Sequence, residues 1–144
     1  MSAAGVLVRR VDYRAAVDRS ALVELLNAYA IDPMGGAEPL ADEVRQRLCD
    51  DLAAHPLAAS FIAWRGDEPL GLANTFLGYS TFKARPLLNV HDIAVRADWR
   101  GRGVGQALLA ACEQHARQKR CCKLTLEVLS GNARALRSYQ RFGF

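Results

Sequence analysis

The stretch Arg96-Ala97-Asp98-Trp99-Arg100-Gly101-Arg102-Gly103-Val104-Gly105-Gln106 decides how this chain reads. It leaves an apolar run of strand character, LLNVHDIAV over residues 87–95. It enters a helical pattern over residues 103–119, in which Val104, Leu108, Ala111, Cys112 and His115 share one face. Gly101, Gly103 and Gly105 let the backbone turn tightly and come close to a ligand. A helix start presents N–H groups with no partner inside the helix and the positive end of the helix dipole, so a turn of this kind suits a phosphate or pyrophosphate. Arg100 and Arg102 add two cations with forked donors. Two common phosphate loops do not fit. A GxxxxGK[ST] loop needs a Lys-Ser/Thr pair that does not follow these glycines, and GxGxxG counted from Gly101 puts Gln106 where the third glycine belongs. A glycine-rich turn without a ligand remains the alternative at this point.

Working outward, residues 6–11 (VLVRRV) read as a strand and residues 21–30 as a helix that Asp18 or Ser20 could cap. Residues 32–39 are dense in breakers and read as a loop. Residues 41–54 return to helical spacing, with Val44, Leu48 and Leu52 on one stripe. The runs at 58–65 and 69–77 are separated by Gly66-Asp67-Glu68, a hairpin signal. Residues 123–129 alternate as a strand, and residues 132–141 form a short helix that Gly143 stops. The order β-α-α-β-β-β-α-β-α predicts an α/β (α+β) fold: a mixed sheet flanked by helices, antiparallel in its early strands and closed by a right-handed parallel crossover.

With 144 residues and neither repeat nor linker, the chain reads as a single domain spanning 1–144. Hydrophobic residues at 51% and charged residues at 24% exclude disordered and fibrous classes. No run approaches the ~18–20 apolar residues of a membrane span, and the first ten residues lack the long apolar core of a secretory signal. Cys49, Cys112, Cys121 and Cys122 contain no CxxC pair, which suits neither a metal site nor a disulfide framework and predicts reduced thiols in a cytoplasmic protein. The net charge of +4 suits an anionic ligand or a solvated surface. Nucleic acid is not expected, because no array of stacking aromatics accompanies the arginines.

Arg100-x-x-Gly103-x-Gly105 resembles the R/Q-x-x-G-x-G/A signature of the GNAT superfamily of N-acetyltransferases. Ile93-Ala94-Val95 resembles the strand that family places before the signature, and Asn132-x-x-Ala135-x-x-x-Tyr139-x-x-Phe142-Gly143-Phe144 resembles its second motif on the last helix. The likeness runs from about residue 58 to the end and is loose before that. It implies acetyl-CoA as the acetyl donor and a primary amine, small or protein-borne, as the acceptor, joined by direct attack in a ternary complex. The pantetheine arm would pair with the backbone of Ile93, Ala94 and Val95. The pyrophosphate would sit on the N–H groups of Arg100, Gly101, Arg102, Gly103, Val104, Gly105 and Gln106. Asn132 would hydrogen-bond the pantetheine arm. A non-catalytic acyl-CoA-binding or sensing module is the competing reading.

The chemistry implied needs a base, because a lysine-like amine of pKa ~10.4 is neutral in roughly one molecule in 10³ at pH 7. Negative charge on the thioester oxygen calls for a donor such as a backbone N–H near Val95, and the departing thiolate calls for an acid. Tyr139 stands where the family's acid tyrosine stands. Some relatives carry the base as Glu at the place of Asn89; here the amide cannot serve. Others carry His or Glu at the place of His91, and imidazole suits a base near neutral pH. On a regular strand Asn89, His91 and Ile93 share one face and Asp92 points to the other, so Asp92 enters as the alternative base only if a bulge re-aims it. No cysteine falls in either motif, which disfavours an acetyl-cysteine intermediate. The first half of the chain should shape the acceptor cleft, with the 79–85 loop as a possible contact and Asp42 and Glu43 placed against a helix dipole on a solvated face. Family members usually continue with further strands past the position of Phe144. A chain lacking them would leave the sheet edge beside the last strand uncovered, which predicts a homodimer across that edge or reduced stability.

Overall fold

A computed structural model describes residues 5–33 and 36–126. The elements run β1 (Leu7–Arg10), α1 (Ala16–Ile31), α2 (Asp42–Ala53), β2 (Ala58–Arg65), β3 (Glu68–Ser80), β4 (Arg85–Val95), a 3-10 turn (Ala97–Trp99), α3 (Val104–Gln118) and β5 (Leu124–Leu126). The strands form one sheet in the order β1-β2-β3-β4-β5. The first three pairings are antiparallel, and β4 pairs with β5 in parallel across α3, as expected. The final helix expected over 132–141 lies outside the described residues.

Alternation along β2 divides the core in two. Ala59, Phe61 and Ala63 meet Val104, Leu108 and Cys112 of α3. Ala58, Ile62 and Trp64 meet Leu22 and Leu25 of α1 and Cys49 and Leu52 of α2 on the other face. His115 is buried on α3 with its ring edge-on to Phe61 at 5.7 Å, and burial together with Arg10 and Lys119 holds it below the usual imidazole range.

Two irregularities break the alternation. Between β2 and β3, Ala63 pairs with Gly71 and Trp64 with Pro69, which leaves Leu70 as an extra residue. Pro69 cannot donate to the ladder, so a bulge falls beside it, and Leu70 turns into the α3 layer. Between β3 and β4, Asn74 pairs with Asp92 and Thr75 with Val90, which makes His91 the extra residue of a second bulge.

Gly71 is where α3 presses on the sheet. A Cβ there would lie 3.0 Å from the Ala94 carbonyl and 3.1 Å from both Leu108 and Val104. Gly71→Val should lower stability by about 1–3 kcal/mol, the range of overpacking in a filled core. Scanning calorimetry of the variant checks this; an unchanged Tm would show that α3 can move off the sheet freely.

Three local expectations are corrected. The first helix starts at Ala16, not after a cap at Asp18 or Ser20. Asp18 sits in its first turn and accepts the Asp12 N–H at 2.8 Å, so it satisfies a donor ahead of the helix from within it. The loop expected over 79–85 is shorter: β3 runs to Ser80 and β4 begins at Arg85, which leaves a four-residue turn over 81–84. Regular alternation would put Asp92 opposite Asn89, and the bulge at His91 puts both on one face.

Candidate functional site

The glycine turn opens α3 as its composition predicts. Gly101 (φ 76°) and Gly103 (φ 88°, ψ 2°) both take left-handed backbone, and Gly103 is the residue from which the helix starts. L side chains resist that conformation, so glycine is the residue that fits. The first bond along the helix runs from the Ala107 N–H to the Gly103 carbonyl at 3.0 Å. The Val104 and Gly105 amides of the first turn therefore have no acceptor within the helix and point out of its N-terminus. A Cβ on Gly105 would come no closer than 3.9 Å to Val95, so the backbone there is open to approach.

The arginines of the turn are held differently from one another. Arg96 is fastened to Glu68 (2.9 Å) and Asp98 (3.0 Å). Arg100 donates from Nε to the Val95 carbonyl (3.2 Å) and pairs with Asp32 at the end of α1 (2.9 Å). Arg102 lies 4.5 Å over the ring of the buried Trp99, with Arg65 at 5.4 Å from the same ring, and it has no carboxylate partner among the described residues. Of the three cations at the turn, Arg102 alone lacks a carboxylate partner in this set. The basic cluster read from the sequence is thus largely neutralised by its neighbours.

Among the described residues β4 pairs with β5 only through Leu88, Asn89 and Val90. Beyond that point Ile93, Ala94 and Val95 have β3 on one edge and no described strand on the other. Ile93 and Val95 pack toward α3. Beside Ala94 and Val95, a cavity of about 220 Å³ is lined by Leu25, Ala28, Tyr29 and Asp32 of the α1 segment and by Arg100. A larger groove of about 650 Å³ between α1 and α2 contains no residue of the turn or of β4.

The bulge at His91 reverses the expected sidedness. Leu88 and Val90 before it and Ile93 and Val95 after it all face α3. Asn89 pairs with Phe76 and Asp92 with Asn74, so Asp92 shares the α1 face with Asn89 while Ile93 lies opposite. The extra residue shifts the period-two alternation by one. Asp92 accepts a hydrogen bond from Asn74 Nδ2 at 3.1 Å. His91 is exposed, with its ring edge-on to Phe76 at 5.8 Å; Phe76 in turn stands edge-on to His55 at 5.2 Å. Asn89 donates to Thr125 at 2.9 Å, which links β4 to β5.

Tyr29 is a site residue that sequence reading missed. Its phenol is pushed up by burial first and then by the Asp92 and Asp32 carboxylates, so it remains a donor. One tyrosine on an amphipathic helix carries no signal of this; only the packing of α1 against β4 does. Glu43 behaves as expected on a solvated face, pairing with Arg47 one turn on at 2.7 Å. Burial pushes the Cys112 thiol up to about 12 and raises Cys49 and Cys121 as well. Asn132 and Tyr139, expected to touch the donor, lie outside the described residues.

Residues 20–144 match the acetyltransferase (GNAT) family. Over 93 residues the chain is 31% identical to the thialysine N-epsilon-acetyltransferase of Bos taurus, a match covering 62% of this chain and 54% of the bovine protein, so the chain spans about half the length of that relative. In structure it is similar to an aminoglycoside acetyltransferase from an uncultured soil metagenomic sample solved with sisomicin (TM-score 0.82, 16% identity, 97% of this chain and 88% of that one). It is also similar to an aminoglycoside N-acetyltransferase solved with CoA (TM-score 0.78, 20% identity, 96% and 87%). At these identities the two structures show a shared fold.

Proposed function

The chain belongs to the acetyltransferase (GNAT) family, and on that premise we propose that it moves the acetyl group of acetyl-CoA to a primary amine by direct attack in a ternary complex. One observation carries the reading: directly after β4, a turn with Gly101 and Gly103 in left-handed backbone starts α3 and leaves its first amides without an acceptor inside the helix. A pyrophosphate needs amides at such a turn, and an extended pantetheine arm would pair with the backbone of Ile93, Ala94 and Val95 that leads into it. The residues of the turn fit the pyrophosphate. Val104 and Gly105 would hold the pyrophosphate with the turn residues Arg100, Gly101, Arg102, Gly103 and Gln106, and Arg102 is the cation best placed to add charge.

Bound acetyl-CoA supplies an activated acetyl group on a good leaving thiolate. The residues of the chain do the rest. A backbone N–H near Val95 is the donor for charge developing on the acetyl oxygen. His91, exposed at the bulge, takes the proton of the amine and can return it to solvent. Tyr139 protonates the departing sulfur. The burial-raised thiols of Cys49, Cys112 and Cys121 are poor nucleophiles at neutral pH, which favours direct attack over an acetyl-cysteine route. The described helices include none long and apolar enough to cross a membrane; the proposed site of action is the cytoplasm, where the proposed donor is available.

A panel of amines, including thialysine, lysine, an aminoglycoside and a lysine-bearing peptide, read by release of CoA, tests the proposal. Turnover of at least one amine is expected. Binding of acetyl-CoA without turnover of any would select the sensing module instead. Tyr139→Phe should lower kcat by roughly 10²-fold, the scale of a lost general acid; steady-state kinetics with the best acceptor checks it, and a near wild-type kcat would remove Tyr139 from the mechanism.

A further inference from the structure

A line of polar groups crosses the otherwise apolar layer between α1 and the sheet. Tyr13, in the connection before α1, lies 2.7 Å from Ser60 on β2. Ser60 lies 2.6 Å from Asn74 on β3, and Asn74 lies 3.1 Å from Asp92 on β4. Ser60 and Asn74 are 1% and 4% exposed, in a layer that also holds Leu22, Ile62 and Leu72.

The direction of every bond in this line follows from its end. A carboxylate only accepts, so Asn74 presents its NH₂ to Asp92 and its oxygen to Ser60. The single Ser60 hydrogen goes to that oxygen. Tyr13 must then donate to Ser60, and burial raises its phenol, which keeps the proton on it. All three donors therefore point the same way, toward Asp92. Apolar residues on β2 and β3 would fill this layer without desolvating a hydroxyl and an amide. Holding the carboxylate in place gives the line a use.

We propose that Asn74, fixed by Ser60 and Tyr13, is a positioning residue that aims the Asp92 carboxylate into the acceptor side of the site, where it holds the ammonium group of the incoming amine. The bulge at His91 is what brings Asp92 opposite Asn74 on the α1 face. There the Asp92 carboxylate acts on the phenol of Tyr29, which lines the cavity beside Ala94 and Val95, and Asp32 acts on the same phenol while pairing with Arg100. His91, one residue earlier, remains exposed for the proton. The inference rests on the acetyl transfer proposed above and divides the work within it: Asp92 binds the acceptor, His91 deprotonates it.

A double-mutant cycle on Asn74 and Asp92 tests it, with thialysine and lysine as acceptors and CoA release as the readout. Asp92→Asn should raise the acceptor KM by about tenfold or more, the scale of a lost charge-assisted contact, with the acetyl-CoA KM within about twofold of wild type. Asn74→Leu should do the same to a lesser degree, and the double variant should be no worse than Asp92→Asn alone, because Asn74 acts only through Asp92. Additive losses, or equal changes in both KM values, would overturn the positioning role. If Asn74→Leu does not fold, Tyr13→Phe is paired with Asp92→Asn in the same cycle, with the same two readings. Failure of the wild-type chain to turn over any amine of the panel would overturn the proposed function and this inference with it. Wild-type turnover with an additive cycle would overturn this inference alone.

Discussion

Gly103→Glu is expected to abolish acetyl-CoA binding in calorimetry. Two effects act together. The residue holds φ 88° at the start of α3, a left-handed conformation that costs a side chain about 1–2 kcal/mol. Any relaxation of that strain turns the first amides of the helix away from the positions they hold now. The new carboxylate also stands at the positive end of the helix, where the pyrophosphate is proposed to sit, and the two anions repel in a partly desolvated site. Gly103→Asn separates the two effects. Asparagine tolerates left-handed backbone and brings no charge, so this variant should keep measurable binding, weakened by about tenfold or less. Thermal unfolding of both variants reports whether α3 still docks on the sheet. A folded Gly103→Glu protein with wild-type affinity would show that the turn does not hold the donor.

The reading of this turn came from the sequence because glycine spacing, helix amphipathicity and strand character are all local. The same is true of β2, whose bounds at Ala58 and Arg65 match the apolar run residue for residue, and of the parallel crossover, which chirality and chain order dictate. What the sequence did not show depends on contacts between distant segments. The bulge at His91 arises from the register of β3 against β4, and no property of LNVHDIAV alone announces it. Strict alternation puts Asp92 on the wrong side, and its place beside Asn74 was legible only as the alternative that a bulge in β4 would open. Tyr29, Ser60 and Asn74 were invisible for the same reason: each is an ordinary residue of its element until α1 and three strands bring it to Asp92. The arginines were legible as a cluster, but their carboxylate partners Glu68 and Asp32 lie 28 and 68 residues away from Arg96 and Arg100.

His91→Gln is expected to lower kcat at pH 7 by about 10²–10³-fold, within the range of general-base catalysis, while the KM for acetyl-CoA stays unchanged. An aliphatic amine arrives as the ammonium ion, and its nitrogen cannot attack until a proton leaves. The group that takes the proton must reach the amine and must also pass the proton on. His91 meets the second demand through its exposure at the bulge. Asp92 is committed to the Asn74 amide and lies in a half-buried position. Glutamine keeps the size and one donor of the imidazole and loses its basic nitrogen, so the loss reads the base and not the packing against Phe76. The pH dependence supplies a second reading. As the medium approaches the pKa of the free amine, the acceptor deprotonates without help, so the deficit of His91→Gln should shrink steadily between pH 7 and pH 10. A deficit that stays constant over that range would assign His91 a structural role, and a wild-type kcat at pH 7 would leave proton removal to water. The Asp92→Asn variant should respond differently, with its loss in acceptor KM persisting wherever the amine remains charged, because a carboxylate that holds an ammonium ion has work to do only while the ion is there.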